Sequence, residues 1–121
     1  MSAQQNKATI AKVNDAFRQN NTEAFLAACT ENVLWTMVGD STVKGKDGIR
    51  KWMASMPGEA PKFTIKQTVA EGDYVTCIGE MTMKDKDGRV GPYSFCDVYR
   101  FEGDKIAELN AFVVKLKTAE V

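Results

Sequence analysis

Residues 62–116 read KFTIKQTVAEGDYVTCIGEMTMKDKDGRVGPYSFCDVYRFEGDKIAELNAFVVKL, interrupted by Glu71-Gly72-Asp73, Asp85-Lys86-Asp87-Gly88 and Glu102-Gly103-Asp104. Gly beside Asp, between runs rich in Val, Ile, Thr, Tyr and Phe, is hairpin chemistry. The spacing predicts four antiparallel strands at roughly 62–71, 73–84, 90–102 and 105–116. At about ten residues or more each, they are roughly twice the usual strand length. Long antiparallel strands twist strongly and coil, which gives the sheet a concave side to fill.

The first half of the chain supplies the filling. Ile10, Val13 and Phe17, with Ala16 beside them, recur at spacings of three and four and make one apolar helical stripe. Asn20-Asn21-Thr22 breaks that helix and caps the next, where Phe25, Leu26, Ala28 and Cys29 form a second apolar surface. A short strand, Val33–Val38, ends at Gly39-Asp40-Ser41. A third helix after Gly45 carries Ile49, Trp52, Met53 and Met56 on one face and stops at Pro57-Gly58. Three helices followed by a curled meander define an α+β fold, a curved antiparallel β-sheet wrapped around N-terminal helices to form a cone with an internal pocket.

Composition narrows the function. The chain has 121 residues, which suits one domain spanning 1–121 with its core at about 7–116. Sixteen Lys and Arg balance sixteen Asp and Glu, so the basic footprint of a nucleic-acid or membrane-surface binder is missing. There is no histidine, which removes Ser-His-Asp and Cys-His catalysis and histidine metal sites. Acid–base chemistry falls to carboxylates, Tyr, Lys or water. Cys29, Cys77 and Cys96 are odd in number and lack a C-x-x-C pair, so they read as reduced thiols and not as a disulfide frame or zinc site. The start, Met1 to Lys7, is too polar for a secretory signal, and no run approaches the roughly 20 apolar residues of a membrane span. These features predict a soluble cytoplasmic protein with no metal and no cofactor.

Period-two alternation assigns the sheet faces. It groups Phe63, Ile65, Gln67 and Val69 inside, then Val75, Cys77, Gly79, Met81 and Met83, then Tyr93, Phe95, Asp97, Tyr99 and Phe101, and finally Leu109, Ala111 and Val113. Asp97 and Gln67 therefore sit among apolar neighbours, where an unpaired polar group is costly. Asp97 is the candidate catalytic residue: a desolvated carboxyl has a raised pKa and acts as an acid or hydrogen-bond donor. The competing reading is a structural carboxylate satisfied by a Tyr hydroxyl, a Trp N–H or water. Trp35, Met37, Trp52, Met53, Gln67, Met81, Tyr93 and Tyr99 are the candidate ligand-binding residues, or else they fill the core. Gly79 inside a strand marks a bulge or leaves room for a ligand. Cys77 and Cys96 have no base partner in sequence and read as small buried hydrophobes. On the opposite face Ile78, Val98, Phe112 and Val114 are apolar where water is expected, which predicts a covering homodimer partner.

Three segments carry a family resemblance: Ala24-Phe-Leu-Ala-Ala-Cys-Thr-Glu-Asn-Val-Leu-Trp35, Val43-Lys-Gly-Lys-Asp-Gly-Ile-Arg-Lys-Trp52 and Cys96-Asp-Val-Tyr-Arg-Phe101. With the order of elements, they make the chain resemble the nuclear transport factor 2-like superfold, in its SnoaL-like and ketosteroid-isomerase-like branch. The resemblance covers about residues 7–116. It implies a deep apolar pocket in the cone and dimerisation across the convex face of the sheet. It also implies that Asp97 matches the isomerase's neutral carboxylic acid, which donates a hydrogen bond to the developing enolate. The isomerase's general-base Asp falls near Thr36 or Met37 and its oxyanion Tyr near Val13 or Asn14, so both partners are missing. The His of related cyclases is absent, and so is the Asp-Arg-Asp triad of the epoxide hydrolases. The superfold hosts many functions. The sequence thus predicts a protein for a small apolar molecule, either an enzyme of isomerase, hydrolase or lyase type acting through Asp97 or a non-catalytic ligand-binding or protein-interaction module.

Overall fold

The computed structural model describes residues 2–56 and 62–117. Helix α1 spans Ala3–Arg18. The Ser2 hydroxyl accepts from the Gln5 N–H at 3.1 Å while Gln5 Oε1 accepts from the Ser2 N–H at 3.1 Å. This capping box satisfies N–H groups that a helix start otherwise leaves free. Ile10, Val13 and Ala16 form its buried stripe. Asn20, at φ 56, ends the helix, and the Asn21 side chain accepts from the Ala24 N–H to cap α2, Thr22–Ala27.

Cys29, which the helical spacing assigns to the second helix, instead opens strand β1, Cys29–Met37. A hairpin turn containing Gly39, at φ 88, leads into a short strand, β2, Ser41–Lys44, where the sequence reading expects no strand. Helix α3 is Gly45–Ala54; the expected stop at Pro57-Gly58 lies outside the described residues. Strands β3 (Lys62–Glu71), β4 (Tyr74–Lys84), β5 (Val90–Glu102) and β6 (Lys105–Lys115) form the meander. The sheet is curved and open, in the order β2-β1-β6-β5-β4-β3, with β1 and β6 parallel and every other pair antiparallel. No helix among the described residues is long and apolar enough to cross a membrane.

The core lies where the helices meet the concave face. Ile10, Val13, Phe25, Leu26 and Ile49 pack against Val75, Tyr99, Phe101, Ile106 and Leu109, all buried. Each such large apolar side chain contributes about 1.5–3 kcal/mol over leaving it in water.

Two bulges correct the faces that alternation assigns. In β3, Ile65 pairs with Gly79 but Gln67 pairs with Ile78, so Lys66 is an extra residue. Beyond it the parity reverses. Thr68 and Ala70 turn inward, while Gln67 and Val69 turn to the outer face and are exposed. In β6, Arg100 pairs with Glu108 but Phe101 pairs with Ile106. The extra residue, Ala107, carries Ile106 from the outer face into the core. A one-residue slip moves every later side chain to the other face, which alternation alone cannot register.

Gly79 is a consequence of the first bulge. A Cβ there would meet the Thr64 carbonyl oxygen and, at 2.7 Å, the Phe95 Cζ. The Phe95 ring occupies the space a side chain would need and packs edge-on to Phe63, with centroids 6.2 Å apart. The glycine is there for close packing.

Candidate functional site

Cross-strand rows place the inward residues. One row runs Met37, Ala111, Asp97, Cys77, Thr68. On one side of it lies the row Trp35, Leu109, Tyr99, Val75, Ala70, and on the other lies Val113, Phe95, Gly79, Ile65. Asp97 therefore has apolar rows on both sides and a methyl and a thiol as its strand neighbours.

The residue is half-buried, yet apolar packing strips its carboxyl of most of its hydration. Burial pushes the pKa from the ordinary 3.8 to about 7. No hydrogen bond to the carboxyl occurs among the described residues, so no Tyr hydroxyl or Trp N–H neutralises it. The nearest hydroxyl along the strand belongs to Tyr99, two residues away on the same face. Tyr99 is 0% exposed and its Oη has no hydrogen-bond partner among the described residues. Burial raises its pKa well above the phenol range, and the charge of Asp97 adds to the effect. The Trp35 Nε1 is also buried without a partner among the described residues.

Cys77, opposite Asp97, accepts from the Asn14 Nδ2 at 3.8 Å, and its sulfur lies 3.8 Å from the Thr68 hydroxyl. Its thiol pKa is raised, mainly by burial, as are those of Cys96 and of Cys29, the last to about 12. Raised thiols are poor nucleophiles. Asn14 interrupts the apolar stripe of α1 four residues after Ile10, a signal the sequence carried. Thr68 was hidden by the bulge.

The other candidates divide. Tyr99 lies two residues from Asp97 on the same strand face, and Met37 shares its cross-strand row with Ala111 between them. Trp35 lies in the Tyr99 row but is engaged by aromatics: its ring centroid is 5.7 Å from Phe17, 5.4 Å from Phe25 and 5.1 Å from Trp52. Met53 packs against the same core. Met81 and Tyr93 pair with one another beyond the Phe95–Gly79 row. Four residues of strand put Tyr93 about 13 Å from Asp97. Gln67 is the correction, since it faces away from the cone as the exposed partner of Ile78. At the base position, the Thr36 hydroxyl is paired with the Thr42 hydroxyl at 2.9 Å and Met37 offers a thioether, so neither supplies a carboxylate. Among the described residues no three His, Cys, Asp or Glu side chains cluster as a metal cage requires.

A curled, open sheet closed by helices, with an acid on its apolar concave side, defines the cone-shaped class of small α+β domains. The sequence pattern of the SnoaL-like domain matches residues 10–109, and the chain belongs to that family. The fold is shared with a protein from Kribbella flavida described as a ketosteroid isomerase (TM-score 0.81, 15% identity, covering 98% of this chain and 84% of that one). A SnoaL-like polyketide cyclase, as it is described, from Jannaschia has a TM-score of 0.80 at 13% identity, covering 92% and 86%. An epoxide hydrolase of Mycobacterium tuberculosis has a TM-score of 0.78 at 14% identity, covering 92% and 84%. No curated protein sequence matches the chain. At these identities the likeness is one of fold.

Proposed function

We propose that the protein binds a small, mostly apolar organic molecule on its concave face and hydrogen-bonds an oxygen of that molecule through the protonated carboxyl of Asp97. The observation that carries this reading is a carboxyl among apolar rows, with no hydrogen-bond partner among the described residues and a pKa pushed up to about 7 by burial. Tyr99 adds an unbonded hydroxyl on the same face. A neutral acid in a poorly hydrated site stabilises charge developing on a carbonyl, enolate or epoxide oxygen. Isomerase, hydrolase and cyclase are the activities named for proteins of this fold, and all develop such charge. Thr36 and Met37, where the isomerase's base would fall, supply no carboxylate. Three free cysteines favour a reducing, cytoplasmic setting.

The second reading is a non-catalytic ligand-binding or protein-interaction module. It is favoured by the missing base and by the exposure of Ile78, Phe112 and Val114 on the outer face.

The test uses 2-naphthol as probe, with fluorescence titration between pH 5.5 and 8.5. Binding should weaken above about pH 7 as Asp97 ionises. Asp97→Asn should keep the fold and flatten that profile. Identical affinities and profiles in the two proteins would remove Asp97 from the site. A saturable 2-naphthol complex with no turnover of ketone or epoxide substrates would favour the second reading.

A further inference from the structure

A recess of about 280 Å3 lies between α1 and the edge strand β3. Its origin is the β3 bulge. The shifted parity turns Thr68 inward where Gln67 or Val69 would otherwise stand, and at Ala11 the helix offers no more than a methyl. Ile65 supplies an apolar wall.

The polar groups around the recess form a consistent set. Asn14 is 7% exposed, and its one side-chain hydrogen bond among the described residues is the weak donation to the Cys77 sulfur at 3.8 Å. The rest of its amide is left for the recess it lines. Arg18 holds its guanidinium 4.5 Å from the Phe63 ring centroid and gives one N–H to Asp15 at 3.1 Å. A guanidinium has five donors in a planar fork that matches a carboxylate, so most of this one remains available. The exposed pair with Asp15 is of a kind that holds weakly. Lys7 brings a second cation to the rim, leaving two positive charges against the one of Asp15.

We propose that this recess binds a small organic monoanion, a carboxylate on a short apolar body. The carboxylate meets the Arg18 fork, the body lies on Ala11 and Ile65, and Asn14 and Thr68 hydrogen-bond any further polar group. The recess is open to solvent, and its volume sits just under the roughly 300 Å3 at which ordinary ligand pockets begin, room enough for about one ring. Cys77 stands between Thr68 and Asp97 in the cross-strand row, and Asp97 is not among the described residues that line the recess.

The test is benzoate titrated into isotope-labelled protein and followed by amide NMR shifts. Saturable shifts should centre on Ala11–Arg18 and on 65–68. Affinity should fall about tenfold in Arg18→Gln, the loss expected for one charge-assisted bidentate contact. Benzamide, which keeps the shape without the charge, should bind about tenfold more weakly for the same reason. Ala11→Leu, at an exposed helical position tolerant of Leu, should abolish the effect, and Asp97→Asn should leave it unchanged. The proposal is overturned by shifts centred on Asp97, by equal binding of benzamide, by indifference to Arg18→Gln, or by no saturation at about 20 mM benzoate.

Discussion

Cys77 stands directly opposite Asp97 across the β4–β5 pair, and the same sulfur takes the Asn14 amide N–H from α1 at 3.8 Å. The polar donor that reaches this part of the concave face is thereby spent on a thiol, and the carboxyl beside it is left with apolar packing. That arrangement favours the protonated acid. It also fixes the carboxyl in register on a central strand, where its position does not depend on a loop.

The raised pKa of Asp97 has a thermodynamic consequence with a definite sign. The folded protein holds the proton up to about pH 7, whereas the unfolded chain releases it near 3.8. Between those values the folded state binds more protons, so stability falls as pH rises through the window and the loss is complete above it. The loss is at most about 4 kcal/mol, at roughly 1.4 kcal/mol per pKa unit. Asp97→Asn removes it. Thermal melts should show the variant close to the wild type only near pH 3.5, below the window, and progressively more stable than it up to pH 8.5. A variant less stable at both pH values would mean that the ionised carboxylate is satisfied in the fold.

Gly79 is predicted to be intolerant of even one methyl group. The obstruction is partly backbone, the Thr64 carbonyl, which cannot swing aside as a side chain can. Gly79→Ala should cost about 1–3 kcal/mol in chemical denaturation, the usual range for overpacking a filled interior. The double variant with Phe95→Leu should recover only part of that loss, because the carbonyl contact remains.

The meander was legible because its turn chemistry is local. Glu71-Gly72-Asp73 and Glu102-Gly103-Asp104 announce hairpins without reference to the rest of the chain, and Gly72 and Gly103 adopt φ 57 and φ 64 at those turns. The helical stripe of Ile10 and Val13 was legible for the same reason. Asp97 was placed on the concave face because β5 between Tyr93 and Arg100 carries no bulge, so parity holds across it. Gln67 was misplaced and Thr68 overlooked because a bulge is a property of two paired strands. It shows only in the pairing of Ile65 with Gly79 and Gln67 with Ile78, residues more than ten apart in the chain. The short strand β2 escaped because Ser41–Lys44 is too brief to show a period.

The reversed parity of β3 can be tested by paired substitutions. Gln67→Ala exchanges an exposed side chain and should change stability by no more than about 0.5 kcal/mol. Thr68→Ala removes a hydroxyl beside the Cys77 sulfur and should cost more, about 1 kcal/mol, in urea denaturation. The reverse ranking would restore the simple alternation and put Gln67 back inside the cone.

The outer face yields the last prediction. Ile78, Cys96 and Phe112 form one cross-strand row there, with Val98 in the next row on one side and Val114 in the next on the other. Ile78, Phe112 and Val114 are 37%, 44% and 61% exposed, a contiguous apolar patch at the centre of the sheet where a soluble chain ordinarily carries polar groups. A second copy turned about a two-fold axis presents the same patch to it, which makes the surface self-complementary. Light scattering should therefore give a mass near twice the 13.4 kDa of one chain. Phe112→Glu brings a charge from each copy into that apolar contact, where desolvation is expensive and the two charges repel. The variant should run at one chain mass with its circular dichroism unchanged, because an exposed position on a folded strand does not need the phenyl ring for packing. A wild-type chain that scatters as a monomer, or a Phe112→Glu protein that stays dimeric, would show that this face is not where two copies meet.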